Sequence, residues 1–553
     1  MKINKLLVIL SLGVITVSSS ISSGFASSYS KVVKKQAIGS GSQTIYVLNL
    51  EDYIYEQDIE EGYDAPDLVV QFEEYAKSKG YTNAKVVYET TDTNETMYNE
   101  LLTGKNSYDV MCTSDYMIQK MANENLLEPL DRSLIPNYTK YVSDDIGERL
   151  DNIELHIDNE TKYVKDYSIG YMWGTLGLLF NPNFKTFVKR NIAHDEVIED
   201  MRQWSTLWDD KYKRTISIKD SVRDTYATGL LYTYDEELKT LRESWLKGKI
   251  SDEQYNAQLN AIFNRCDNEN IAEIKNSLNL LKKNIFGLEV DSGKQDIVTG
   301  KIGINLAWSG DAVYSMNQAE DATQVGTNIQ ELWYALPETG ANIWFDGWIM
   351  PKNKARSQAQ YELVHLFLDF ISHPDNAAQN MDYIGYTSFI GGDSVLDLVR
   401  KWYDKRVTVD EETGESTFNK TLFDDSWEKV DLSYFFNGTL DKYSIADGDA
   451  IFYSDCYLPL KDQTGNISAG RQFFCQYPDE NTIKRCAVME DYKEQNSAIL
   501  RMWEDFKSDP LPLWALILFI VEIVLIVSAL AFYLISKKMK KVLRNKRKET
   551  YKH

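Results

Sequence analysis

The sequence predicts an α/β protein of two or more lobes, preceded by a secretory signal and followed by a membrane-spanning helix. Three observations carry this expectation. From residue 43 to 123, strand-like and helix-like stretches alternate in units of about 25 residues, the pattern of βαβ crossovers and a mostly parallel sheet. The roughly 480 residues between the two ends are enough for a large core divided over two or more lobes. Residues 511–535 are an almost wholly apolar run of 25 positions, followed directly by a tail with nine Lys/Arg and one acid, Glu549.

The elements follow in order. Lys2 and Lys5 precede an apolar stretch from Leu6 to about Val17, and small residues lead on to Gly24-Phe25-Ala26. Residues 1–26 therefore read as a cleavable signal peptide, with an uncleaved helix as the alternative. Residues 27–42 are small, polar and basic, a flexible leader. A buried-type strand is expected over 44–49, and an amphipathic helix over 67–78 with Leu68, Phe72 and Tyr75 on one face. A strand over 84–89, a helix over 94–102 stopped by Gly104, a strand over 108–112 and a helix over 116–123 complete the first alternation. It returns as a strand at 214–218, a helix at 221–234, a strand at 302–308 running into Ser309-Gly310-Asp311, and an amphipathic helix at 361–371 closed by His373-Pro374. Residues 235–285 are charged and read as a solvated helical hairpin turning at Gly248.

At about 1.5 Å per residue the 511–535 run is long enough to cross a ~30 Å hydrocarbon core. A flank as basic as Lys537-Lys538-Met539-Lys540-Lys541 stays in the cytoplasm. The expectation is a single-pass protein of the cell membrane, its ligand-binding region extracellular and its C-terminus cytoplasmic; a buried core helix is the alternative. Glu522 within the run implies either contact with a partner membrane protein or a protonated or snorkelling side chain.

The net charge of −23 argues against nucleic-acid and anionic-membrane partners and permits cationic ligands. Cys112, Cys266, Cys456, Cys475 and Cys486 form no CxxC pair; Cys475 and Cys486 could pair locally, but free buried thiols are favoured. The five His residues show no metal-ligand spacing, and HExxH, GxSxG, P-loop and GxGxxG motifs are missing. No cofactor or metal is expected, and the case for an enzyme is weakened.

A set of short segments resembles a known family. They are Leu48-Asn49-Leu50-Glu51-Asp52-Tyr53, Tyr88-Glu89-Thr90 with Asn94-Glu95-Thr96-Met97-Tyr98, and Tyr108-Asp109-Val110 with Ser114-Asp115-Tyr116. Residues 166–174 and 204–208, Asn305-Leu306-Ala307-Trp308, Trp344-Phe345-Asp346, Ile384-Gly385-Tyr386 and Tyr477-Pro478-Asp479-Glu480 follow in order. Together they resemble the periplasmic spermidine/putrescine-binding proteins of ABC importers over residues 43–508. The resemblance implies a two-lobed periplasmic-binding-protein type II fold with a hinge. Lobe 1 would comprise about 43–175 and 345–394, and lobe 2 about 176–344 and 395–508, with inserts at about 240–265 and 395–470. It also implies a polyamine ligand, no catalysis, and partnership with ABC permease subunits and, through them, a cytoplasmic ATPase.

A polyamine needs flat aromatic walls for its methylenes, and carboxylates and ring faces for its ammonium groups. The family pattern places the aromatics at Tyr53, Tyr116, Trp308, Trp344 and Tyr386. It places the carboxylates at Asp224 and Asp346, with Asp52 nearby and Ser114 lining the pocket. Trp344 and Asp346 are two apart, so on an extended segment both face one way. Each has a structural reading as well: Trp308 as core, Asp346 as a turn residue before Gly347, Asp224 as the partner of Arg223, and Tyr386 as a loop aromatic. Asp311, just past Trp308, is expected to matter less. The chain departs from the pattern at Leu50, Ser221 and Met489, which puts spermidine preference in question and leaves shorter diamines or another small cationic solute open as the ligand. The competing classes are a glycan-active enzyme, for which Trp walls and paired acids also suit, and a sensor or adhesin.

Overall fold

The structure, a computed structural model, describes residues 39–540 except 61, 105–106, 159, 325–329, 411–415, 458, 462–466, 509–520, 522–523 and 534. The expected signal peptide and most of the leader lie outside the described residues. The described residues up to Ile499 form one compact unit and those from Leu500 another.

Two parallel strand groups are joined by two long antiparallel strands. In the first group Thr44–Leu50 pairs in parallel with Lys85–Thr91 on one side and Val110–Ser114 on the other. In the second, Ile304–Trp308 pairs in parallel with Ile216–Lys219, which pairs in parallel with Gly287–Glu289. Ser168–Phe180 and Ala341–Pro351 run antiparallel to one another and connect the groups: Ala341–Pro351 pairs with Val110–Ser114, and Ser168–Phe180 with Ile304–Trp308. All 13 residues of Ser168–Phe180 are buried. A strand covered on both faces is a near-continuous apolar run, and its sequence is one.

Local chemistry places the connecting helices. The Thr93 hydroxyl accepts the Thr96 N–H at 3.2 Å at the start of Asn94–Thr103, and Gly104, at φ +60°, ends it. Ser357 and Gln360 form a capping box at the start of Gln358–Ile371. Pro374 opens Pro374–Ile384, and Gly385, at φ +76°, closes it and turns the chain toward Tyr386.

Two expectations are corrected. Residues 235–285 are not a solvated hairpin but three helices, Asp235–Leu246, Asp252–Phe263 and Asn268–Lys282. Tyr255, Leu259, Ile262 and Phe263 are buried, and a Cβ on Gly229 of Val222–Thr233 would come within 2.9 Å of Ile274 and Leu278. The apolar stripe was hidden among charges that face solvent. The expected membrane helix over 511–535 is not found: among the described residues no helix is long and apolar enough to cross a membrane. Residues 511–520, 522–523 and 534 of that run lie outside the described residues, Glu522 among them. All five cysteines are free.

The 395–470 region joins the main body. Its strand Ile467–Gly470 pairs with Trp333–Ala335, which pairs with Ser168–Phe180. Phe435 stacks on Trp173 at 6.3 Å between ring centroids.

Candidate ligand-binding site

Asp346 lies at the junction of the long strands with the first parallel group. It pairs in register with Ser114 and Met172, and the next pair is Gly347 with Gly170, so Tyr171 bulges out opposite. A bulge re-aims neighbouring side chains. The Ser114 hydroxyl donates to Asp346 Oδ1 and the Tyr53 hydroxyl to Oδ2, both at 2.7 Å. Tyr53 is fixed in turn: its carbonyl accepts from Tyr171 at 2.6 Å and Asn49 at 3.0 Å.

The surround of Asp346 is aromatic. The Tyr386 ring stands edge-on to Tyr53 at 5.6 Å and to Trp344 at 5.7 Å. Two glycines permit this approach. A Cβ on Gly174 would lie 2.5 Å from the Trp344 ring, and one on Gly310 would lie 2.6 Å from the Tyr386 ring. Trp344, Tyr53, Tyr386, Ser114 and Asp346 are thus brought together.

Among the described residues no Lys or Arg pairs with Asp346. Burial pushes its carboxyl up and the Asp224 charge adds to this, while the Tyr53 and Ser114 hydroxyls oppose it. Asp115, opening the helix Asp115–Asn123, is pushed up to about 8 by burial, against the Phe345 N–H and with the Asp346 charge. Asp224 is raised by burial against the Ser221 hydroxyl, Lys219 and the Trp308 indole N–H. The arrangement is a set of buried carboxyls in an aromatic box, a cation site by its chemistry. Among the described residues no cluster of His, Cys, Asp and Glu is arranged to hold a metal ion.

The remaining expected residues are placed differently. Trp308 ends its strand with Lys219 Nζ 4.2 Å above its ring. Tyr116 donates to Glu95 at 3.1 Å and has the Arg223 guanidinium 4.5 Å from its ring; Arg223 lies 3.9 Å from Tyr492 on its other side. Asp224 is buried near the start of Val222–Thr233, where Ser221 caps the helix by accepting the Asp224 N–H at 3.3 Å. Asp52 is exposed, at φ +51°, and stands apart from the buried group. At the other two departures, Leu50 pairs with Thr91 at the strand end and the Met489 carbonyl accepts from Gln119 at 2.9 Å.

Sequence reasoning missed Asp115, Lys219, Arg223 and Glu289, and it undervalued Asp311. Asp311 Oδ1 accepts the Tyr386 hydroxyl at 2.9 Å, and Oδ2 pairs with Lys219 at 2.9 Å. The available signal was a lysine closing the otherwise apolar strand 216–219.

These buried acids make stability pH-dependent. Burial raises Asp115, Asp224 and Asp346 above the value near 4 at which an unfolded carboxyl titrates, Asp115 to about 8. Stability of the ligand-free protein is therefore expected to fall as pH rises from about 4 to about 8. Urea midpoints across that range check it: a midpoint that rises toward pH 8 contradicts it, and Asp115→Asn should flatten the slope.

Comparison with known proteins agrees with this fold. The family described as bacterial extracellular solute-binding protein matches residues 69–392. The spermidine/putrescine-binding periplasmic protein of Escherichia coli (strain K12) is 25% identical over 346 residues, 62% of this chain and 77% of that protein. The putrescine-binding periplasmic protein PotF of the same organism is 23% identical over 371 residues, 66% of this chain and 83% of that protein. A solved structure from Listeria monocytogenes, described as a spermidine/putrescine ABC transporter, superposes with a TM-score of 0.50 at 22% identity, covering 84% of this chain and 99% of that one, a likeness of fold. These relatives are binding proteins rather than enzymes, so the glycan-active alternative draws no support from them. Both Escherichia coli relatives are named as periplasmic, and together with the missing membrane-crossing helix among the described residues this overturns the expected placement in the cell membrane. With its two-domain α/β architecture and a match over more than half of its length, the chain belongs to the bacterial extracellular solute-binding protein family.

Proposed function

We propose that the protein captures a polyamine, putrescine or spermidine, and delivers it to the permease of an ABC importer driven by a cytoplasmic ATPase. The observation that carries this reading is Asp346, a buried carboxylate fixed by two hydroxyls, boxed by Tyr53, Trp344 and Tyr386, and unpaired with any cation among the described residues. Such a group binds an ammonium strongly, because the ion pair forms away from water. The named ligands of the relatives, spermidine and putrescine, have the matching chemistry. In this reading residues 1–26 are an export signal. The lobes are about 43–175 with 345–394 and about 176–344 with 395–508, and they close on the ligand by bending at the two long strands.

Calorimetry and thermal shift against putrescine, spermidine, amino acids and sugars test it. Binding of a polyamine at micromolar strength, about −8 kcal/mol, is expected. No heat and no thermal shift with any polyamine up to millimolar overturns the ligand assignment.

A further inference from the structure

Resting on the polyamine reading, we propose that Lys219 is a resident cation that fills one ammonium place in the site, so that the protein selects a diamine over a triamine. Lys219 ends the strand Ile216–Lys219, with Glu289 and Trp308 ending neighbouring strands of the same sheet. Its side chain is 1% exposed. Nζ pairs with Asp311 Oδ2 at 2.9 Å and Glu289 Oε1 at 3.1 Å, donates to the Val290 carbonyl at 3.1 Å, and sits over the Trp308 ring at 4.2 Å. Burial works against its charge, but Asp311 and Glu289 together hold the ammonium above the usual lysine range. Two carboxylates and a ring face around an ammonium are what a ligand's amine requires, and here the chain supplies the amine itself.

The place is continuous with the Asp346 box. Asp311 bonds Lys219 through one oxygen and Tyr386 through the other, and Tyr386 packs on Tyr53 and Trp344. A second protein cation, Arg223, occupies the Tyr116 ring face and is 5% exposed. Of the ring faces expected to meet ligand ammonium groups, those of Trp308 and Tyr116 are thus already faced by the chain's own cations. Like charges repel strongly where water is excluded, so a ligand ammonium is held away from Lys219. The Asp346 box takes one terminal amine and Asp224, buried and in no ion pair among the described residues, is left for the second, while a third ammonium meets Asp311 and Glu289, which Lys219 already matches.

A buried ion cluster that only anchors strand ends would leave ligand choice unchanged, and selectivity is therefore the readout. Competition calorimetry with putrescine and spermidine is run on the parent, on Lys219→Met and on Lys219→Met/Asp311→Asn. The parent is expected to bind putrescine at least tenfold more tightly. In Lys219→Met, Glu289 is released and Asp311 keeps only Lys294, 3.9 Å from its Oδ1; together they recruit the extra ammonium, and the ratio should shift at least tenfold toward spermidine. The double variant, with one of those charges removed, should lose most of that shift. A parent that binds spermidine as tightly as putrescine overturns the inference, whether or not the variants fold. So does an unchanged ratio in folded Lys219→Met. A parent that binds neither amine removes the polyamine reading along with it, whereas binding without the expected selectivity removes only the role of Lys219.

Discussion

Replacing Asp346 with Asn is expected to cut polyamine affinity at least about thirtyfold while leaving the ligand-free protein folded. The substitution keeps the shape and removes the charge. Loss of one partner from a buried, hydrogen-bonded charge pair costs roughly 2–5 kcal/mol. The ligand-free state should tolerate it, because burial already disfavours the charge on Asp346. The Tyr53 and Ser114 hydroxyls can reorient toward an amide. Trp344→Ala should weaken binding by about 1–3 kcal/mol through lost wall area and cation–π contact. Asp311→Asn is not the neutral control that its sequence position suggests, since it disturbs both Tyr386 and Lys219. Calorimetry reads the affinities and urea unfolding the fold. If Asp346→Asn binds as the parent does, or unfolds, Asp346 is a structural residue.

The largest effect on stability is expected from Trp173→Ala. Trp173 lies at the middle of the long Ser168–Phe180 strand, 1% exposed, and its indole N–H donates to the Ser388 carbonyl at 3.2 Å. Its ring stacks on Phe435 and stands edge-on to Tyr477 at 6.5 Å, tying the connecting strand to the 395–470 region and beyond. Removing a fully buried Trp costs about 3–5 kcal/mol, the transfer term plus the cavity it leaves. The urea midpoint should fall accordingly. A midpoint within error of the parent would mean that the 395–470 region collapses into the space without loss.

The alternating first lobe was legible because its strands and helices carry their own punctuation. The strand at 44–49 is observed at Thr44–Leu50, and the helix at 94–102 at Asn94–Thr103, ended by Gly104 as expected. The strand expected at 108–112 begins instead at Val110, because Asp109 is spent on tertiary bonds: its carboxylate accepts the Tyr46 N–H at 3.1 Å and pairs with Arg356 at 3.1 Å. Trp344 and Asp346 could be placed on one face from their spacing alone. Asp52 is exposed in a left-handed turn although it directly precedes the buried Tyr53, and adjacency in the sequence says nothing about such a turn. Lys219 and Asp311, 92 positions apart, and Tyr53 and Asp346, 293 apart, meet only through strand order, which no local pattern encodes.

The interleaved strand order has a consequence for how the molecule is made. Asp346 reaches the site on a strand that inserts between Ser168–Phe180 and Val110–Ser114, and its hydroxyl partner Ser114 precedes it by 232 positions. A ribosome adding about 5–20 residues per second needs roughly 10 to 50 seconds to cover that interval. Throughout it the edge of Val110–Ser114 that Ala341–Pro351 will cover has no partner from that strand, and Ser114 waits without its carboxylate. The candidate site is therefore incomplete until late in synthesis, and anything that shields that strand edge in the interim acts on the same segment that carries Ser114.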